Sequence, residues 1–198
     1  MVRWKNRHNG GTGKDGGGVR AVLISIRPEW CHKIVSGEKT IEVRKSSPKL
    51  STPFKCYIYC SMPKTKDPRQ VLEIHGTDGK IRKANGKVLG EFVCDKTTMS
   101  TPGYRDHVAA YWELLDGSCL TADELMDYGQ WGFLYGWHIS NLYIYDKPLE
   151  LSEFMKPCKN DLFCEVCAMY REFEERCGNG ALMIKRAPQS WCYVEELP

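Results

Sequence analysis

Long apolar runs are missing from the sequence, and none approaches the roughly 20 residues that a membrane-spanning helix requires. The basic residues near the N-terminus are not followed by an apolar segment, so no secretory signal is predicted. We therefore expect a cytoplasmic protein whose thiols stay reduced. The ten cysteines make up about 5% of the chain, which is below the content typical of a disulfide scaffold.

Motifs for several common chemistries are also missing. There is no P-loop sequence and no Gly-x-Gly-x-x-Gly sequence, so the chain gives no support for nucleoside triphosphate or dinucleotide chemistry. The five histidines lack the spacing of a metal-binding pair, and no internal repeat is visible. What remains is 198 residues, 42% apolar and 27% charged, which is the composition of a globular domain with one core.

Charge is distributed unevenly along the chain. Residues 1–90 contain 19 Lys and Arg against 7 Asp and Glu, a net +12, and residues 91–198 contain 9 against 18, a net −9. A basic half of this kind fits a polyanion-binding surface, unless the fold interleaves the two halves and cancels the field.

The most informative segment runs from residue 28 to residue 44. Pro28 suits the first position of a helix, and Gly37 suits the left-handed residue that ends one. The apolar period then changes from about 3.6 to 2, so Ile41 and Val43 point to one side of a strand. The other side carries Thr40, Glu42 and Arg44. This is either a polar site or an exposed strand face with a weak Glu–Arg pair.

The rest of the chain predicts more strands than helices. Strands are indicated at residues 20–26, 55–61, 71–75, 88–94 and 131–145, with hairpin turns at Asp78-Gly79 and Asn85-Gly86. A helix over 106–115 places Val108, Ala109, Trp112 and Leu115 on one face, and a capping box at Thr121 opens another helix that ends near Gly129. The strands are not in βαβ alternation, which favours an α+β fold with a small, mostly antiparallel β-barrel and flanking helices.

Several motifs together resemble the ASCH family of the PUA-like superfamily, in particular its larger phage or bacterial members. The first is Leu23-Ile24-Ser25-Ile26-Arg27-Pro28 followed by Gly37-x-Lys39-Thr40-x-Glu42-x-Arg44. The later pieces are Tyr57-Ile58-Tyr59-Cys60, Gly86-Lys87-Val88-Leu89-Gly90-Glu91-Phe92, Trp137-His138-Ile139-Ser140 and Pro188-Gln189-Ser190-Trp191-Cys192-Tyr193-Val194. The resemblance implies a PUA-like barrel with a cleft that binds RNA or a modified nucleoside.

We expect a ligand site next to the Gly-x-Lys-Thr-x-Glu-x-Arg segment. Basic side chains would contact phosphates or base edges, and aromatic rings would stack on bases. The last strand is expected to lie beside the first. The candidate ligand-binding residues are Lys33, Lys39, Thr40, Glu42, Arg44, Trp137, Ser190 and Trp191.

Two other functions stay open. Small ASCH enzymes remove the acetyl group of N4-acetylcytidine with a lysine, a threonine and a glutamate, and the corresponding candidates here are Lys39, Thr40 and Glu42. The chain departs from that pattern, because Glu42 stands where the nucleophilic threonine is expected, and Ser118 or a neighbour where the separate glutamate is expected. Adjacent strand residues also face opposite sides, which separates Lys39 from Thr40. The third function is a phage or bacterial accessory factor that binds another protein.

Four cysteines lie within 20 residues of each other near the C-terminus. Two cysteines separated by two residues form a knuckle that can hold a tetrahedral metal, and four thiolates make a closed, structural zinc site. An iron–sulfur cluster also takes four thiolates, and buried thiols or a redox pair are the alternatives without metal. The predicted ligands are Cys158, Cys164, Cys167 and Cys177.

These observations predict four regions. Residues 1–19 are a Gly-rich, disordered tail, and residues 20–157 form the ASCH barrel. Residues 158–180 form a zinc-knuckle-like appendage whose folding depends on metal, and residues 181–198 supply the final strand and the C-terminus.

Overall fold

The computed structural model describes residues 20–63, 67, 70–101, 108–158 and 180–197. Its strands are β1 (Arg20–Ile26), β2 (Ile41–Arg44), β3 (Phe54–Cys60), β4 (Glu73–His75), β5 (Ile81–Lys83), β6 (Val88–Ser100), β7 (Leu134–Leu149) and β8 (Trp191–Glu195). Its helices are α1 (Pro28–Val35), α2 (Val108–Ser118) and α3 (Ala122–Gly129), with short 3₁₀ turns at Leu151–Glu153 and Gly180–Leu182. The fold is α+β, as predicted. None of the helices in these ranges is long and apolar enough to cross a membrane.

Six strands form the main sheet, in the order β2-β7-β6-β3-β1-β8. All neighbours are antiparallel except β1 and β3, which run parallel. The pairing of β8 with β1 confirms that the last strand lies beside the first. Strands β4 and β5 form a separate two-stranded sheet around the predicted Asp78-Gly79 turn.

The main sheet is not closed into a barrel, and that prediction was wrong. The two edge strands of the sheet are β2 and β8, and no backbone ladder joins them within the described part of the chain. Side chains span the remaining gap instead. Arg44 Nη2 on β2 donates to the Ser25 carbonyl oxygen on β1 at 2.6 Å, and Trp191 Nε1 donates to Ser46 Oγ at 3.1 Å.

The core lies on both faces of the central strands. On one face, Val22, Ile24 and Ile26 of β1 pack with Cys31 and Ile34 of α1. On the other face, residues of β1 and β3 pack with the chain that leads into β8; these are Ala21, Leu23, Tyr57, Tyr59, Phe154 and Ile184. Burial on both faces explains why β1 and β3 read as nearly continuous apolar runs.

Helix α1 follows its predicted limits. It begins at Pro28 and ends at Val35, and Gly37 has the left-handed φ of 78° that allows the chain to turn sharply into β2. The apolar residues Cys31 and Ile34 are buried, whereas Val35 is largely exposed. The capping box at Thr121 is also present and opens α3.

Helix α2 buries a different face from the predicted one. Leu114, Gly117 and Ser118 are buried, whereas Trp112 is 63% exposed and Val108 is also exposed. The reason is the close approach of α2 to β2, because a Cβ on Gly117 would lie 2.5 Å from Ile41 Cγ1. A glycine at this position therefore decides which side of the helix faces the sheet.

A polar cluster also connects α2 to the sheet. Glu113 of α2 forms an ion pair with Lys96, and its Oε2 accepts a hydrogen bond from Thr98 Oγ1 at 2.8 Å. His138 Nε2 of β7 lies 2.9 Å from Thr98 Oγ1 and 3.5 Å from Glu113 Oε1. Burial lowers the pKa of His138 below its usual value, although Glu113 favours the charged form.

Two local predictions need correction. Asn85-Gly86 does not form a hairpin, because β5 and β6 belong to different sheets; the Asn85 side chain instead bonds the backbone of Gln70 and Leu72. Strand β7 begins at Leu134 rather than at residue 131, because Trp131 has a left-handed φ of 63°.

The predicted tail and most of the predicted metal site lie outside the described residues. Only Cys158 of the four cysteines is described, and it is half-buried. Within the ranges given above, no group of three or more His, Cys, Asp or Glu side chains is arranged to hold a metal ion. The zinc site and the four-region division therefore stay predictions.

Candidate functional site

Strand β2 and the turn before it carry the charged side chains of the site. The turn is fixed at both ends, because Lys39 N donates to the Lys33 carbonyl oxygen of α1 and Thr40 N donates to the Gly117 carbonyl oxygen of α2, each at 2.9 Å. Strand β2 itself pairs with β7, with Glu42 opposite Trp137. The side chains that follow α1 are thus held by two helices and one neighbouring strand.

Lys39 is almost completely buried, with 3% of its surface exposed. Its Nζ donates to the Ser118 carbonyl oxygen at 2.7 Å, lies 3.4 Å from Glu42 Oε2 and lies 5.3 Å from the centre of the Trp30 ring. Burial lowers the pKa of the Lys39 ammonium, and Glu42 opposes that shift.

Glu42 connects Lys39 to Arg44. Arg44 Nη2 lies 3.0 Å from Glu42 Oε1, so the buried carboxylate has a cation on each side. Arg44 is the most accessible of the three, with 13% of its side chain exposed. Glu42 Oε2 and Arg44 Nε form no hydrogen bond within the described part of the chain. The three residues therefore form a buried Lys–Glu–Arg network in which Arg44 is the group nearest to solvent.

This network forms one wall of a cavity of about 630 Å³. A volume of this size is typical of pockets that bind small molecules. The other walls come from the end of β1, from β3, from α1, from α3 and from the segment before β8. The lining residues that carry the argument below are Arg27, Trp30, Lys39, Glu42, Arg44, Glu124, Asp127 and Tyr128.

The structure brings four of the predicted ligand-binding residues to this cavity. Lys39, Glu42 and Arg44 line it from the β2 side, and Ser190 lines it from the segment before β8. Lys33 does not line the cavity; its ammonium lies 5.0 Å from the centre of the Trp30 ring. It supports the wall from outside rather than facing the space within.

The two predicted tryptophans also lie outside the cavity lining. Trp137 is completely buried between Phe54 and Trp191, each with its ring centre 5.8 Å away. Trp191 is half-buried and bonds Ser46. Trp137 was predicted as an aromatic ring on which a base could stack, but its side chain is completely buried. We therefore correct its role to packing.

Thr40 is exposed and does not line the cavity. Lys39 and Thr40 both lie in the turn before β2, where Lys39 is buried and the adjacent Thr40 is exposed. The cavity consequently contains Lys39 and Glu42 but not the hydroxyl that was the candidate nucleophile.

Sequence reasoning missed the walls that other elements contribute. Trp30 of α1 is not among the predicted ligand-binding residues, yet its ring lies at the cavity beside the Lys39 ammonium. Glu124 and Asp127 of α3 also line the cavity, although neither is among the predicted ligand-binding residues. Their contribution depends on how α3 packs against β2, which no local pattern in the chain indicates.

The structure resembles known proteins at the level of the fold. No protein-family model matches the chain, and no curated protein matches its sequence. Two variants of the ASCH protein from Zymomonas mobilis are similar in structure. The first has a TM-score of 0.50 and 15% identity over 89% of this chain and 91% of that chain. The second has a TM-score of 0.52 and 15% identity over 89% of each chain.

The structural similarity extends over most of both chains. The sequence identity of 15% is too low to transfer the role of any residue from those proteins to this chain. The structural similarity agrees with the family that the sequence motifs suggest. The chain therefore has the ASCH fold.

Proposed function

We propose that the chain binds a modified nucleoside, or RNA through one of its bases, in the cavity beside β2. The observation that carries this proposal is the buried Lys39–Glu42–Arg44 network at the wall of a 630 Å³ cavity. A nucleobase edge presents donors and acceptors side by side, and an arginine next to a carboxylate offers the complementary pair.

The individual contacts favour Arg44 as the group that reads the ligand. Lys39 Nζ is already bound to the Ser118 carbonyl oxygen and to Glu42, so it is not free to hold a phosphate. Arg44 has the largest exposed fraction in the network, and its donors are aligned by Glu42 and by the Ser25 carbonyl oxygen. Tyr128 and Trp30 add aromatic surface to the lining.

Hydrolysis of an acetylated nucleoside is less well supported. The buried Lys39, with its lowered pKa, has the character of a general base, and this observation favours an enzyme. Thr40, however, lies outside the cavity lining, so the candidate nucleophile and the candidate base do not share the site. We therefore propose binding as the function and treat hydrolysis as a result to be tested.

Calorimetric titration of the purified chain tests the proposal. The ligands are adenosine, guanosine, cytidine, uridine, N4-acetylcytidine and a single-stranded RNA oligonucleotide. We expect at least one to bind, and Arg44→Gln to weaken that binding about tenfold or more, since a good base contact contributes about 1–3 kcal/mol. Lys147→Gln, at an exposed position on β7 outside the cavity lining, is the matched control.

Three results would change the proposal. If no ligand in the panel binds, or if Arg44→Gln binds as well as the original chain, the cavity is not a nucleoside site. If RNA binds and its affinity falls steeply with salt, backbone phosphates contribute directly. If N4-acetylcytidine is converted to cytidine during incubation, as seen by chromatography, the chain is an enzyme.

A further inference from the structure

Two aromatic rings line the cavity from different helices, Trp30 from α1 and Tyr128 from α3. On α1, Lys33 lies one turn after Trp30 and shares its face of the helix. On α3, Glu124 lies one turn before Tyr128 and likewise shares its face. Hydrogen bonds at Thr121 lower the pKa of the Glu124 carboxyl, and the nearby Lys33 ammonium adds to this effect. The helix faces that carry the two rings are therefore adjacent at the cavity.

Both rings are held in place from outside the cavity. The Lys33 ammonium lies 5.0 Å from the centre of the Trp30 ring, and the Lys45 ammonium lies 5.1 Å from the centre of the Tyr128 ring. Neither lysine lines the cavity. Trp30 also packs against the core cluster of β1 and α1. Because side chains that are already ordered lose little freedom when a ligand binds, the two rings are pre-organised for contact with one.

Tyr128 has the most accessible aromatic surface of the lining. It is 36% exposed, whereas Trp30 is half-buried. Tyr59, another aromatic residue of the lining, is 8% exposed and belongs to the core. Within the ranges that the structure describes, neither Trp30 nor Tyr128 packs against another aromatic ring. The Tyr128 ring is therefore available to a planar ligand.

We infer that the ligand is recognised through its base, which stacks on the Tyr128 ring beside Trp30, and that Tyr128 is a specificity-determining residue. The inference rests on the proposed function and narrows its ligand class to planar heteroaromatic bases, with or without a sugar. Every base has a π-face that can stack on an aromatic side chain. The edge of the stacked base is then available to Arg44 on the β2 wall of the cavity.

Calorimetric titration with two variants at one position tests the stacking. Adenosine, guanosine, cytidine, uridine and N4-acetylcytidine are titrated into the purified chain, and the nucleoside that binds most tightly is then titrated into Tyr128→Leu and Tyr128→Phe. Tyr128→Leu should weaken its binding about tenfold or more, because the ring is lost. Tyr128→Phe keeps the ring and should stay within about threefold of the original affinity. The matching free base should bind within about tenfold of the nucleoside, and ribose 5-phosphate should not compete with it.

Tryptophan fluorescence gives an independent measure of where the base lies. Saturation with the same nucleoside should quench the emission, and Trp30→Phe should remove at least half of this quenching. Trp131→Leu is the matched control for affinity, because Trp131 follows α3, is 71% exposed and does not line the cavity. It should bind the nucleoside as tightly as the original chain.

Four results would overturn the inference. They are unchanged affinity in Tyr128→Leu, equal losses in Tyr128→Leu and Tyr128→Phe, unchanged quenching in Trp30→Phe, and competition by ribose 5-phosphate. In each case a loss of binding in Arg44→Gln would still support the nucleoside site. If no nucleoside binds, the proposed function fails and the inference fails with it.

Discussion

The buried Lys39–Glu42–Arg44 network makes a specific prediction about stability, because its central member neutralises both of its neighbours. Glu42→Gln removes the only negative charge of the network and leaves the Lys39 and Arg44 cations beside each other. Lys39→Met removes one positive charge and leaves Glu42 paired with Arg44 at 3.0 Å. The first change should therefore destabilise the fold more than the second, although Lys39 is the more deeply buried residue.

The magnitudes follow from burial and from the remaining partners. Removing one partner of a buried ion pair costs about 3–5 kcal/mol, because the other charge is left buried without compensation. Arg44 is partly exposed, so we expect about 3 kcal/mol for Glu42→Gln. Lys39→Met loses the hydrogen bond to the Ser118 carbonyl oxygen but also removes the desolvation cost of a buried ammonium, so we expect about 1 kcal/mol.

Urea unfolding, followed by circular dichroism and by tryptophan fluorescence, measures both values. A difference of about 2 kcal/mol corresponds to a midpoint shift of about 1 M urea for typical slopes. The double variant should cost less than the sum of the two single variants, since removing both charges leaves less uncompensated charge. If Lys39→Met destabilises the chain as much as Glu42→Gln, Glu42 is not the central charge of the network.

Three further predictions follow from other parts of the molecule. Burial lowers the pKa of His138 in the folded chain, so the unfolded chain binds a proton at this histidine more readily. The free energy of unfolding should therefore decrease as the pH falls from about 6.5, the ordinary pKa of histidine, toward the lower pKa of the folded state. In a pH series of urea midpoints, His138→Gln should flatten this decrease. Gly117→Ala should destabilise the fold by about 1–3 kcal/mol in urea unfolding, because the new methyl group would overlap Ile41, and a cost near zero would contradict the close packing of α2 on β2. Metal analysis of the freshly purified chain should find about one equivalent of zinc that is lost in Cys164→Ser and Cys167→Ser, and less than about half an equivalent of any metal would refute the four-cysteine site.

Structural features that depend on neighbouring residues in the chain could be predicted from the sequence, whereas features that depend on packing could not. Pro28 and Gly37 fixed the limits of α1, and the alternation after Gly37 placed Glu42 and Arg44 on one side of β2. Such features depend on residues close in the chain. Trp137 shows the opposite case, because its alternating strand gives no sign that both sheet faces are covered.

The contribution of α3 to the cavity lining was also beyond local reasoning. The capping box at Thr121 predicts where α3 begins, but no pattern in the chain indicates that its carboxylates face β2. The prediction of which face of α2 is buried was wrong for a related reason. Hydrophobicity favoured Trp112 as a contact, whereas a glycine at residue 117 allows the closer approach and leaves Trp112 exposed.

The open sheet and the cavity have a common physical origin. In a closed barrel, backbone hydrogen bonds would join the first and last edges of the sheet, and no space would remain between them. Here no backbone ladder joins the edge strands β2 and β8 within the described part of the chain, and side chains connect this side of the sheet instead. The hydrogen bond from Arg44 Nη2 to the Ser25 carbonyl oxygen connects β2 to β1 at the cavity wall. Glu42 compensates the charge of the Arg44 guanidinium that makes this contact, which gives Glu42 a structural reason to be buried. The network that we propose reads a ligand is therefore also the one that connects β2 to β1 at the cavity wall.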